Sequence, residues 1–148
     1  MNPLTMWRAL FVLVMLYGTA LAAPPGDDPA LPTNEWNEIR DVVGRQLKAL
    51  RAGDGKQALS YASDGIREQF GTPENFLRMV RSGYAPLLDA SHTQFLQGAI
   101  IGGTPFQAVR LVLPDNTVLV ALYQMEKHKD GKWRIAGCAL APSTVRAV

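Results

Sequence analysis

Soft and imidazole ligands are scarce in this chain of 148 residues: one cysteine, Cys138, and two histidines, His92 and His128. A single thiol excludes an intramolecular disulfide framework and any multi-cysteine zinc site. The two histidines lie too far apart in sequence to form a helical metal pair, so neither a metal nor another cofactor is expected. Charge is also thin. Charged residues make up 19% of the chain and the formal net charge is +2, which excludes recruitment to nucleic acid by electrostatics alone. No phosphate-cradling glycine loop is present; Gly102-Gly103 is what a turn requires. After residue 22 there is no apolar run long enough to cross a bilayer. What the sequence has is aliphatic bulk: 47% of residues are hydrophobic, too many for a mostly disordered chain. The length suits one domain around one core.

Residues 1–22 read as a signal peptide. Arg8 supplies the basic region, and Ala9 to Tyr17 an apolar stretch within the usual range of roughly 7–15 residues. Ala20-Leu21-Ala22 has the small-x-small pattern of a cleavage site. The protein is therefore expected to be exported, periplasmic or secreted, with no membrane association once the signal is removed. Residues 23–32 hold Pro24, Pro25, Pro29 and Pro32 and read as an extended linker. A single domain is expected over residues 33–148.

The front of that domain has helical periodicity. Thr33 or Asn34 can cap a helix with Glu35 in its first turn. Trp36, Ile39, Val43, Leu47 and Leu50 then fall on one face, and Gly53 ends the helix. Asp54 with Gln57 starts a shorter piece, and Ile66 to Phe70 form another. Thr72-Pro73-Glu74 opens a fourth helix that buries Phe76, Met79 and Val80 and stops at Gly83.

After Pro86 the period falls from about 3.6 to 2. Strands are expected at 93–97, 106–113, 118–127 and 133–140, with turns at Pro114 to Thr117 and at Asp130-Gly131. Helices followed by consecutive hairpins predict an α+β fold, N-terminal helices packed on an antiparallel sheet of four or more strands. With two-residue loops, paired positions would sum to 231 in the first of these two hairpins and to 261 in the second. Val109, Leu111, Val118, Val120, Leu122 and Ile135 would then share one face, and Phe106, Ala108, Ala121, Tyr123, Met125 and Cys138 the other. Two apolar faces predict helices on one and a second copy of the chain, a homodimer, on the other.

Several ordered motifs carry a resemblance. They are Trp36-x-x-Ile39-Arg40 with Gln46-Leu47, Ile66-Arg67-x-x-Phe70-Gly71-Thr72-Pro73-Glu74-x-Phe76, Met79-Val80-Arg81-x-Gly83-Tyr84-x-Pro86, Tyr123-Gln124-Met125 and Trp133-Arg134-Ile135-x-Gly137-Cys138. Over about residues 34–141 the chain resembles a set of small exported bacterial proteins grouped as domain of unknown function 4864. The resemblance implies the nuclear transport factor 2-like superfamily, in which a curved antiparallel sheet wraps a helix to form a cone with a pocket. That superfamily hosts isomerases, dehydratases and plain binding modules, so the fold by itself selects no activity.

Gln107, Gln124 and Glu126, beside the bare Gly137, are candidates for the floor of a ligand pocket, or else strand ends in water. Tyr84, between a helix-ending glycine and Pro86, is a candidate ligand contact at the cone mouth, or a core plug with a wet hydroxyl. Trp133 is a candidate at the rim, or packing. Arg78 and Arg81 suit an anion, but equally a solvated helix face. Cys138 has no base nearby in sequence and reads as a buried, inert thiol opposite Tyr123. An isomerase of the ketosteroid type would need a carboxylate base and an oxyanion donor in one apolar pocket. Asp89, His92 and Glu126 are the available bases and Tyr84 or Tyr123 the donors, yet no spacing unites them, and no catalytic residue can be named. The sequence favours a non-catalytic binding or interaction module with a pocket for a small molecule, the alternative being a cofactor-free isomerase or lyase.

Overall fold

A computed structural model describes residues 30–143. The expected signal peptide, the expected linker up to residue 29 and the last five residues lie outside the described residues. Helix α1 (Thr33–Arg51) begins after Pro32 without a side-chain cap. The expected Thr33 or Asn34 cap is replaced by the Pro32 carbonyl, which accepts from the backbone N–H groups of Glu35 and Trp36. Helix α2 (Gly55–Ser60) is capped by Asp54, whose carboxylate accepts the Gln57 N–H. Ser63 caps α3 (Asp64–Phe70), and Thr72 caps α4 (Pro73–Gly83) with proline in its first turn. A short fifth helix, α5 (Ala85–Asp89), occupies residues given no element in the sequence reading.

The sheet is wholly antiparallel. Its strands are β1 (His92–Phe95), β2 (Ala99–Ile101), β3 (Thr104–Val112), β4 (Val118–Lys127) and β5 (Trp133–Pro142). The order is β1-β3-β4-β5, and β2 pairs with the start of β3 beyond the end of β1. Strand β2 was not anticipated. Its turn is tight, with Gly102 and Gly103 both at positive φ (57° and 77°), the conformation a two-residue hairpin needs and glycine adopts freely.

The register differs from the two-residue expectation, for a local reason. In the first of the two long hairpins Val112 pairs with Val118 and Phe106 with Gln124, a one-residue slip. The loop there is Pro114-Asp115-Asn116, closed by Leu113 N–H to the Thr117 carbonyl, with Asn116 at φ 66°. A three-residue loop ending in a left-handed residue is the next commonest hairpin connection after the two-residue turns. The second hairpin is closed the same way, His128 N–H to the Lys132 carbonyl, with Gly131 at φ 82°. A bulge between Gln124 and Met125 then shifts the β4–β5 pairing, so Met125 faces Ile135 while Tyr123 faces Cys138.

These shifts sort the faces. Val109, Leu111, Ala121, Tyr123, Met125, Trp133 and Ile135 share the side covered by α1, packing on Ile39, Val43 and Leu47. Val118, Val120 and Leu122 pair instead with Val112, Arg110 and Ala108 on the far side. A second core joins the end of α1 to α2, α3 and α4 through Leu50, Ala58, Ile66, Phe70, Phe76 and Met79. The domain thus has two apolar clusters with a seam between them.

Candidate functional site

The seam is incompletely filled. A cavity of about 30 Å³ lies there, bounded by Leu50, Ile66, Phe76, Met79 and Val80 from the helical cluster and by Leu87, Tyr123 and Ile135 from the sheet cluster. Gln46, Ala62, Tyr84 and Cys138 complete the wall. The space is about that of one or two waters, well below the ~150 Å³ that accepts benzene in an engineered apolar cavity.

Each polar group in this wall is placed by backbone geometry. Residues 61–63 run beside β5, with the Ile135 N–H donating to the Tyr61 carbonyl and the Ser63 N–H to the Ile135 carbonyl. That parallel bridge brings Ala62 against the sheet and covers part of the β5 edge. Tyr84 sits between α4 and α5, and its hydroxyl donates to the Cys138 carbonyl at 3.0 Å, tying the helix junction to β5. Gln46 Nε2 donates to the Ala58 carbonyl at 3.1 Å and is likewise occupied. Tyr123 is 1% exposed, and its hydroxyl has no oxygen or nitrogen partner among the described residues, only a weak contact with the Cys138 thiol. Burial raises the pKa of the Tyr123 phenol far above its ordinary value, with the neighbouring Cys138 thiol adding to the shift. Burial raises Tyr84 as well, and it pushes the Cys138 thiol up to about 12. Every polar group here is therefore neutral at physiological pH, and no lining residue is a carboxylate, an imidazole or a cation.

The residues singled out from sequence are not brought together. Tyr84 lines the cavity. Gln107 is wholly buried, and its Nε2 donates to the carbonyls of Leu96 (2.7 Å) and Ala108 (2.9 Å), spanning the break between β1 and β2. Gln124 does lie against Gly137, where an added Cβ would stand 3.6 Å from its Oε1, but on the uncovered face of the sheet. Glu126 pairs across the strands with Arg134 and is exposed. The shared floor expected of Gln107, Gln124 and Glu126 does not form, because the one-residue slip puts Gln107 on the opposite face. Trp133 is packed at the N-terminal end of α1, with Nε1 donating to Glu35 Oε2 at 2.5 Å and the Lys127 ammonium over its ring at 5.5 Å. Asp89, His92 and Glu126 are all exposed, and none lines the cavity. Arg78 and Arg81 are exposed on α4, Arg78 bonding Asn75 of its own helix. Among the described residues no group of histidine, cysteine and carboxylates is arranged to hold a metal.

Sequence reasoning missed the wall residues Gln46, Ile66 and Met79 as site residues. Their signals were helical periodicity for Met79 and membership of the family-like motifs, which mark burial and kinship and not a void.

Residues 32–148 match the domain of unknown function DUF4864. The chain belongs to the DUF4864 family. No curated protein matches this DUF4864 chain. Three solved structures follow a similar path. ActVI-ORFA from Streptomyces coelicolor is 16% identical with a TM-score of 0.49, over 78% of this chain and 99% of that one. A nuclear transport factor 2-like protein of unknown function from Shewanella baltica is 10% identical with a TM-score of 0.46, over 77% and 99%. Another protein of that family, from Streptomyces avermitilis, is 12% identical with a TM-score of 0.46, over 78% and 100%. At such identities no residue role or substrate carries over. The helices-then-sheet architecture of this DUF4864 domain is the α+β fold expected from its sequence.

Proposed function

We propose that this protein is a non-catalytic binding module whose ligand is small, apolar and neutral and enters at the seam between the two cores. The observation that carries the reading is the cavity wall: aliphatic and aromatic, with neutral polar groups and no residue able to serve as a general base at neutral pH. Entry requires α3 and α4 to move relative to the sheet, and Met79, an unbranched and adaptable side chain, lines the space that would widen. The signal-peptide reading of residues 1–22 supports an activity outside the cytoplasm.

A second copy of the chain belongs to the same proposal. The uncovered sheet face presents Ala108, Val120, Leu122, Ala139 and Ala141. Strands of nine and ten residues make that face about 30 Å long, and four strands make it roughly 15–20 Å wide. Its flat area of about 450–600 Å² supplies more than half of the ~800 Å² that each partner contributes to a standard interface. The small net charge of +2 opposes self-association little.

Native mass spectrometry of the folded protein from its producing cells tests both parts. A retained neutral adduct and a dimer mass are expected, with Leu122→Glu giving the monomer. Turnover of a β,γ-unsaturated ketone to its conjugated isomer above the buffer rate would overturn the non-catalytic reading. A monomeric wild type would overturn the dimer.

A further inference from the structure

Among the residues that wall the cavity, Tyr123 alone has a buried side-chain polar atom without an oxygen or nitrogen partner. The Tyr84 hydroxyl is spent on the Cys138 carbonyl and the Gln46 amide on the Ala58 carbonyl. The Cys138 thiol, across the strand pair, does interact with the Tyr123 side chain, but sulfur is a weak hydrogen-bonding partner and leaves the phenol short of a full hydrogen bond. An unmade hydrogen bond of this kind costs stability in the empty protein, and the cost is recovered when an acceptor arrives. Water is poorly suited to supply it: a buried water needs two to four polar partners, and here the neighbouring ones are already engaged.

From this geometry we infer that the cavity selects a small apolar molecule bearing a single neutral acceptor oxygen, of ketone, aldehyde, ester or ether type, which accepts a hydrogen bond from Tyr123 Oη. The inference rests on the cavity being a ligand site, as proposed above, and adds the class of ligand. The phenol stays protonated at physiological pH, so its O–H is always available to give. A carboxylate ligand is disfavoured because no cation lines the wall itself: Arg51, whose charge is felt at Tyr123, is not a lining residue and is engaged by the Leu87 carbonyl. An alcohol is a poorer match than a carbonyl, since its own proton would find no free acceptor.

The test uses acetone and isobutene, which share a shape and differ in oxygen against methylene. Binding is read from the methyl resonances of Met79, Ile66 and Ile135 in the folded wild-type protein and in Tyr123→Phe. In the variant, acetone is expected to weaken about fivefold while isobutene stays within about twofold, the difference one neutral hydrogen bond makes. In the wild type, the Tyr123 Cζ resonance is expected to move with acetone and not with isobutene, which keeps the inference testable should the variant fail to fold. Equal weakening of both probes, or a Tyr123 resonance blind to acetone, overturns the acceptor-oxygen inference. If isobutene binds the wild type and acetone does not, this inference falls and the apolar binding module stands. If neither probe moves the methyl signals, both fall.

Discussion

Filling the seam should stabilise the protein and blunt its binding together. Val80 lines the cavity from α4 and is 3% exposed, so Val80→Ile directs one extra methylene toward the void. Burying that methylene is worth about 0.8 kcal/mol. Removing a void of about 30 Å³ at about 24 cal/mol per Å³ adds about 0.7 kcal/mol. The ceiling is therefore about 1.5 kcal/mol; imperfect fit and lost rotamer freedom lower the expected gain to roughly 0.5–1.5 kcal/mol. Urea unfolding reads it as a higher midpoint at constant slope. The control is Val43→Ile, in the same molecule but away from the cavity and fully buried. There the same atoms overpack the α1–sheet core, and a loss of about 1–3 kcal/mol is expected. In the first variant isobutene binding should also weaken. A Val80→Ile protein destabilised as much as Val43→Ile would refute the reasoning, because it would mean the seam holds no usable space.

Three further outcomes are expected. Gly98→Ala should cost about 1–3 kcal/mol in urea unfolding, because its new Cβ would lie 2.2 Å from the rigid Trp36 ring, and Trp36→Leu should return most of it. Cys138, pushed up to about 12 by burial, should react with a disulfide reagent at pH 8 far more slowly in the folded protein than in urea; prompt native labelling would contradict that burial. The Glu35 carboxylate is held below its ordinary 4.5 by hydrogen bonds from Lys127 and then Trp133, and the Lys132 N–H chiefly does the same for Asp130. Groups lowered on folding stabilise above their unfolded values, and that stability is lost as pH falls through the folded ones. Glu35→Gln should therefore flatten the decline of stability below about pH 4.5, and an unchanged acid limb would dismiss the Glu35 contacts as energetically idle.

Sequence reasoning reached the architecture because its signals are local. The Asp54 and Thr72 caps, the proline after Thr72 and the change of period after Pro86 each speak within a few residues, and the structure has helices and strands where they point. The candidate site was far less legible. Whether Gln107 joins Gln124 depends on one residue of register, and that residue is decided by Asn116 adopting φ 66° in a three-residue loop. The bulge that lets both Ile135 and Cys138 face the helices lies in β5, where Ala136 is the unpaired residue; Gly137 beside it reads equally as a bare position in a regular strand. The cavity is subtler still. It arises where two well-packed clusters fail to meet, and no single side chain encodes a gap between groups that are each complete. Tyr84 was found because it stands between two backbone punctuators; Tyr123 was noted only as a hydrogen-bond donor, since its missing partner is a property of the assembled interior.

Both tryptophans of the described domain, Trp36 and Trp133, pack at the N-terminal end of α1, one against Gly98 and the other bonded to Glu35. Neither borders the cavity. Indole emission is thus a one-sided gauge: it follows the docking of the first helix and is deaf to events among Ile66, Phe76 and Met79. Unfolding followed by fluorescence and by methyl signals from the helical cluster should coincide only if both halves melt as one. A gap between the two curves would measure how readily the smaller half lifts away by itself.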